Sequence, residues 1–282
     1  CPICGADAGT TLVESADQLY PGPERFRFVV CGRCGHLYQN PRPTVEAIGR
    51  HYPADYLSFQ PAIAAIASPL RRLELRGYYD RRRRMVERAA PGRGRFLDVG
   101  CATGNFLDTM RRAGWQVQGV EPDEAAAAYA RERLGLPVFT GRLEQAALPA
   151  GAFDAATLWD VLEHVHAPRA VLAELARIIR PGGVLLLALP NPDSLEARLL
   201  GPHWVGWDLP RHLNLFRPRA LRALLAESGF VVERISAPVH GYAGLVMSLQ
   251  QRARARGGDP ERLGRLLRLP PLRLLAALYY RG

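Results

Sequence analysis

Between Arg95 and Ser236 the chain alternates short apolar, β-branched runs with longer stretches whose apolar positions recur at helical spacing. The short runs predict strands at Phe96–Val99, Gln116–Val120, Val138–Thr140, Phe153–Trp159, Val184–Leu189 and Phe230–Ser236. Helices are predicted between them at Asn105–Ala113, Asp123–Leu134, Pro168–Ile179 and Pro218–Glu227. Gly114 and Gly135 stand where C-terminal caps belong, and Pro181-Gly182-Gly183 predicts a turn ahead of the fifth strand. Such alternation is the pattern of an α/β, doubly wound parallel sheet covered by helices. Upstream, Phe26–Val30 reads as a strand and Leu70–Ala90 as a helix carrying the basic run Arg81–Arg84. That run is either a solvated face or a grip on an anionic substrate.

A hydrophobic share of 48% with 23% charged residues in 282 positions excludes wholesale disorder and leaves room for a real core. No run approaches the ~20 apolar residues of a membrane span, and no basic stretch precedes an apolar signal core, so the expectation is a cytoplasmic protein. The net charge of +10 attracts polyanions, but all 37 basic residues are Arg in a chain rich in Ala, Gly and Pro, which points rather to compositional bias. The first residue is Cys1 and the last, Gly282, follows an apolar, Arg-studded stretch, the pattern of a piece of a longer chain.

Cys1, Cys4, Cys31 and Cys34 form two C-x-x-C pairs, each followed by a glycine, Gly5 or Gly35, that suits a tight knuckle. Two such pairs aim four thiolates at one ion, the arrangement of a structural zinc ribbon, with no open position for water. Two disulfides are the alternative, in an oxidising compartment that nothing here signals. His36 is not expected to be a ligand. Downstream, Tyr52 and Tyr56 are expected to serve core packing.

In FLDVGCATGNF a strand ends at Asp98, a glycine turn follows and a helix opens near Asn105. Ligands of such sheets bind beyond the strand ends, where missing side chains let them approach backbone, so this turn is expected to hold a nucleoside-containing cofactor. Gly100-Cys101-Ala102-Thr103-Gly104 lacks both the dinucleotide spacing and a P-loop lysine, which disfavours a pyrophosphate ligand. Glu121, ending the second strand in VQGVEP, could accept both ribose hydroxyls.

These blocks, FLDVGCATG with VEP, FDAATLWDVLEHV and RPGGVLLLALPN, resemble the class I S-adenosylmethionine-dependent methyltransferases, in the branch with an N-terminal zinc ribbon. The resemblance covers roughly Arg95 to Ser236. It implies a Rossmann-like sheet with Asp98 near the methionyl amino group, Gly100, Cys101, Ala102 and Gly104 under the cofactor, and Glu121 with Pro122 at the ribose. It also implies adenine contacts around Leu143, where Arg142 replaces the usual carboxylate, and Asp160 facing the methionine. His164, one turn later, would reach the acceptor or a helix cap. The family's seventh strand has no counterpart in HGYAGLVMSLQQRARAR or LGRLLRLPPLRLLAALYYRG, so that region is expected to be an insertion with the closing strand beyond residue 282.

Methyl transfer from a sulfonium is an in-line displacement that needs alignment and, for some acceptors, a base. GPHWVGWDLPRHLNLFRP, following the fifth strand, collects Trp204, Trp207, Arg211, His212 and Asn214 and is read as the acceptor pocket. His212 and His164 are the candidate bases, ahead of His240 and Tyr242. The expected division is 1–44 zinc ribbon, 45–92 helical linker or lid, 93–240 cofactor-binding core and 241–282 Arg/Leu-rich extension, which could lie on an anionic membrane. The favoured function is methylation of a small-molecule or glycan, nucleotide-sugar-type acceptor. The alternatives are an RNA methyltransferase that uses the ribbon and basic surface, and a non-catalytic binding module.

Overall fold

The computed structural model describes residues 1–20, 22–53, 60–236, 241–267 and 269. In chain order the elements are β1 (Gly9–Ala16), β2 (Arg25–Cys31), β3 (Leu37–Gln39), α1 (Pro69–Ala89), β4 (Arg95–Val99), α2 (Asn105–Arg112), β5 (Gln116–Glu121), α3 (Glu124–Leu134), β6 (Val138–Thr140), β7 (Phe153–Trp159), α4 (Pro168–Ile178), β8 (Ile179–Ala188), α5 (Leu195–Leu200), β9 (Asn214–Leu215), α6 (Pro218–Glu227), α7 (Gly241–Ala255) and α8 (Pro260–Leu267). They form two compact units, Tyr52–Leu189 and a discontinuous one made of Cys1–His51 with Pro190–Gly282.

The continuous unit is built on a five-stranded parallel sheet ordered β6-β5-β4-β7-β8. Its inner strand β7 is covered on both faces, with Phe153 and Ala155 to Trp159 all buried, because helices cover a parallel sheet on both sides. Phe96, Phe106, Leu107, Met110 and Trp115 fill the core beside Val86 of α1, with Phe96 and Trp159 each packed edge-to-face on Phe106. The helix ends follow local chemistry. Asp123 caps α3 by accepting from the Ala126 N–H at 2.7 Å, and Gly135 ends it at φ 62°.

The discontinuous unit holds an antiparallel sheet ordered β1-β2-β3-β9. Phe28, Leu37, Trp204, Trp207, Leu209 and Leu215 form its apolar centre. Since β9 pairs with β3 through Leu37 and Leu215, the ribbon segment and residues 190–215 share one core, and the units cut the chain differently from the division read in the sequence.

Two other expectations change. Pro181-Gly182-Gly183 is not a turn before the fifth strand but an irregularity within β8, whose register jumps between the pairs Phe153–Ile179 and Ala155–Val184. Residues 230–236 form no strand: Val231 is 88% exposed, and a run with no hydrogen-bonded neighbour has nothing to make it one. Among the described residues the sheet therefore has five strands, with β8 at one edge. Tyr56, His240 and all but Leu269 of the segment after residue 267 lie outside the described residues. No helix among the described residues is long and apolar enough to cross a membrane.

Candidate cofactor and metal sites

The chain leaves β4 at Val99 and makes the turn Gly100 to Gly104 before α2 opens. Gly100, Ala102 and Gly104 all have positive φ, at 73°, 47° and 81°. At Gly100 a side chain is also excluded sterically, since a Cβ would lie 2.4 Å from Val161 Cγ2. Ala102 takes a left-handed conformation that a small side chain tolerates at some cost. What holds it there is Glu121, whose Oε2 accepts from the Ala102 N–H at 2.8 Å while Oε1 accepts from the Asp123 N–H at 3.0 Å. A carboxylate has about four lone-pair sites, so these two contacts aim Glu121 and leave two acceptors for a diol.

Asp98, 2% exposed, accepts from the Thr157 hydroxyl at 2.7 Å. Burial pushes its pKa from 3.8 up to about 7, against the opposing pull of that hydroxyl and of Arg82. Burial raises Glu121 as well. The free site thus holds Asp98 near its titration point, and a cationic ligand would favour the ionised form. Asp160, at φ 57° and with a half-exposed side chain, pairs with Arg82 at 3.5 Å. Leu143 is buried in a short 3-10 turn after Arg142, whose N–H donates to Gln145 Oε1 at 2.9 Å. Arg142 and Pro122 are exposed. Cys101, buried in the turn, is a small packed residue.

Sequence reading missed the segment Gln60 to Ile63. Asn105 donates from Nδ2 to the carbonyls of Gln60 and Pro61 at 3.2 and 3.0 Å and accepts from the Ile63 N–H at 3.1 Å. Thr103 also donates to the Gln60 carbonyl. This strap fixes the helix end of the turn, and only the two polar residues flanking Gly104 hinted at it.

In the other unit, the four cysteines Cys1, Cys4, Cys31 and Cys34 gather with every sulfur within 4.8 Å of the others. The Cys1–Cys34 and Cys4–Cys31 Sγ separations are 3.6 and 3.5 Å. These are thiols and not disulfides, spaced close to the ~3.8 Å edge of a tetrahedron with Zn–S bonds of ~2.3 Å. Gly5 and Gly35 adopt φ 71° and 72° and donate to the carbonyls of Cys1 and Cys31 at 3.0 Å, making the two knuckles. His36 stays outside the cluster, hydrogen-bonded through Nε2 to Asn214 Oδ1 at 3.0 Å, and burial pushes its pKa down to about 4.

The acceptor pocket read from residues 201–218 is corrected. Trp204 and Trp207 pack edge-to-face in the interior, and the Trp207 indole donates to the Gly201 carbonyl at 2.8 Å. Arg211 is fully buried, held by Asp17 at 2.6 and 2.7 Å and by Asp208 at 2.7 Å. Asn214 serves His36. Aromatic and polar residues crowd this loop because it closes a small core around two short strands, which composition alone does not distinguish from a ligand pocket. His212 is buried beside it, with Nδ1 2.8 Å from the Gly206 carbonyl oxygen, which assigns the proton to Nδ1. In the continuous unit, His164 Nδ1 lies 2.9 Å from the Tyr52 hydroxyl.

A family model described as a methyltransferase domain matches residues 70–235. The chain belongs to the methyltransferase-domain family. Among curated relatives, it is 30% identical over 161 residues to a ubiquinone biosynthesis O-methyltransferase of Xanthomonas axonopodis, covering 53% of this chain and 67% of that one. It is 35% identical over 148 residues to the like-named protein of Maricaulis maris, covering 48% and 58%. A probable S-adenosylmethionine-dependent methyltransferase of Mycolicibacterium smegmatis is 33% identical, over 53% of this chain and 56% of its own length. The chain thus spans little more than half the length of the last two. The fold matches that of a geranyl diphosphate C-methyltransferase from Streptomyces coelicolor at TM-score 0.51 and 16% identity, covering 73% of this chain and 85% of that one.

Proposed function

We propose that the chain is an S-adenosylmethionine-dependent methyltransferase acting on a small-molecule or glycan, nucleotide-sugar-type acceptor. The observation that carries this reading is the joint placement of Asp98, the glycine turn and Glu121 at adjacent ends of β4 and β5 in a chain of this family. The bound cofactor would supply an electrophilic methyl on sulfonium sulfur. The chain's own residues do the rest. Glu121, held by two backbone N–H groups, would take the ribose hydroxyls, Asp98 and Asp160 the ammonium of the methionine end, and Leu143 the adenine edge. The small-molecule part of the acceptor reading draws on the relatives named for ubiquinone biosynthesis O-methylation, and His164 is the base proposed where the acceptor must lose a proton.

The test is calorimetric titration with S-adenosylhomocysteine at several pH values. Asp98 prefers its neutral form when the site is free, so in that state its contribution to stability falls as pH rises from the unfolded value near 4 toward 7. Binding of an ammonium ligand runs the other way and strengthens over the same approach to the folded pKa. Affinity should rise roughly tenfold between pH 6 and 8, and Asp98→Asn should flatten that profile. No binding by folded protein at any pH would move the reading to a non-catalytic module.

We further propose that the four cysteines hold one structural zinc ion. Metal analysis should find one zinc per chain, lost in Cys31→Ser. A strong chelator should lower the thermal midpoint by at least ~5 °C, and an unchanged midpoint in metal-free protein would refute a structural role.

A further inference from the structure

The segment from Pro61 to Leu70, PAIAAIASPL, carries no charged residue. Such a run is normally drawn into a core, yet here only Ala62 is buried, and Pro61, Ala64, Ala65, Ala67, Pro69 and Leu70 are exposed. Leu70 is 66% exposed, and Leu73, one turn further into α1, is 68% exposed. The result is a continuous apolar tip where α1 begins, not a scatter of single side chains.

Beyond the tip the same face of the helix turns basic. At 3.6 residues per turn Leu70, Leu73, Arg81, Arg84 and Arg88 fall in one stripe along α1, and all five are exposed. The acidic residues of the helix are engaged elsewhere: Glu74 pairs with Arg71 at 3.4 Å, and Asp80 and Glu87 with Arg83 at 3.2 and 2.6 Å. Arg81, Arg84 and Arg88 make no ion pair with any described residue. The stripe therefore presents leucines at one end and three uncompensated cations at the other.

This pairing of chemistries selects its partner. A second copy of the chain would set arginine against arginine. RNA would use the cations but leave the leucines idle, and the stripe offers no aromatic ring on which a base could stack. A bilayer with anionic headgroups uses both ends, since its acyl boundary takes up apolar side chains and its phosphates take guanidinium groups.

We propose that the outer face of α1, with the tip that precedes it, docks on an anionic lipid bilayer. The contact is peripheral: Leu70 and Leu73 enter the headgroup boundary while Arg81, Arg84 and Arg88 meet lipid phosphates. Asn105 ties the tip to the glycine turn by donating to the carbonyls of Gln60 and Pro61. Docking would thus bring that turn close to the bilayer, where apolar molecules concentrate.

Vesicle flotation tests this with ligand-free full-length protein, on phosphatidylcholine vesicles with and without about one-third phosphatidylglycerol. The protein should float with the anionic vesicles only, and more weakly as salt is raised. An arginine near such a surface is worth roughly fivefold in binding, so Arg81→Gln, Arg84→Gln and Arg88→Gln combined should cost about 100-fold. Leu70→Ser with Leu73→Ser should cost about tenfold and keep the salt dependence. Both variants should retain the wild-type thermal midpoint, because the altered side chains are exposed. Folded wild-type protein that does not float, or floats equally with neutral vesicles, would overturn the proposal. So would flotation that neither variant weakens, which would move the contact elsewhere, as to the Arg/Leu-rich stretch after residue 267. Absence of flotation together with RNA retention that only the arginine variant loses would assign the stripe to nucleic acid instead. Flotation requires no cofactor, so its failure and a failure of the proposed methyl transfer are separately visible.

Discussion

Replacing Glu121 by Ala is expected to abolish measurable S-adenosylhomocysteine binding and to weaken the fold at the same time. Two charged hydrogen bonds to ribose hydroxyls are worth about 1.5–3 kcal/mol each, so their loss corresponds to roughly 10²- to 10⁴-fold in affinity. The same change strands the Ala102 and Asp123 N–H groups at about 1–3 kcal/mol each where water cannot reach them. It also frees the left-handed Ala102, so the turn itself should loosen. Asp98 makes the informative contrast. Burial disfavours its ionised form, so Asp98→Asn should weaken binding and flatten its pH dependence while the midpoint at pH 8 holds or rises, a trade of stability for function. Thermal melts run beside the titrations separate the two cases. A Glu121→Ala protein that binds with near wild-type affinity would take the ribose contact away from this residue.

The second large effect lies at Arg211. Removing the guanidinium in Arg211→Ala leaves Asp17 and Asp208 buried without their shared cation, at a cost of about 3–5 kcal/mol. Burial works against the charge of Arg211, yet its hydrogen bonds to the two carboxylates outweigh that and hold the group firmly protonated. Chemical denaturation should show the loss as a lower midpoint, with S-adenosylhomocysteine affinity of the folded fraction unchanged. A stable variant that instead lost acceptor turnover would return Arg211 to the substrate pocket assigned from sequence.

These two residues show where sequence reading succeeds and where it stops. The placement of Asp98, Gly100, Gly104 and Glu121 was legible because it is local: each is set by the end of a strand or by a turn that only certain residues can make. The cysteine pairs were legible for the same reason. Arg211, Trp204, Trp207 and Asn214 were misread because burial is decided by partners far along the chain, Asp17 for Arg211 and His36 for Asn214. Arg82 stands inside a run of four identical residues, and its burial between the Tyr78 and Trp159 rings, which depends on tertiary packing, sets it apart from its neighbours. The segment Phe230–Ser236 has a strand's composition but, among the described residues, no strand beside it, and β structure requires both.

The discontinuous unit carries a consequence for biosynthesis. Its strand β3 finds its neighbour β9 about 175 residues later, and Asp17 finds Arg211 across 194 positions. On the ribosome the cysteine-bearing segment emerges ahead of the rest of its unit, whose core stays open until the whole of Tyr52–Leu189 has been made. That inserted core can close earlier, from contacts entirely within itself. Newly made chains would then pass through a stage in which the second unit is complete and the first is held together chiefly by its own β1–β2–β3 sheet and whatever metal its thiolates have already captured.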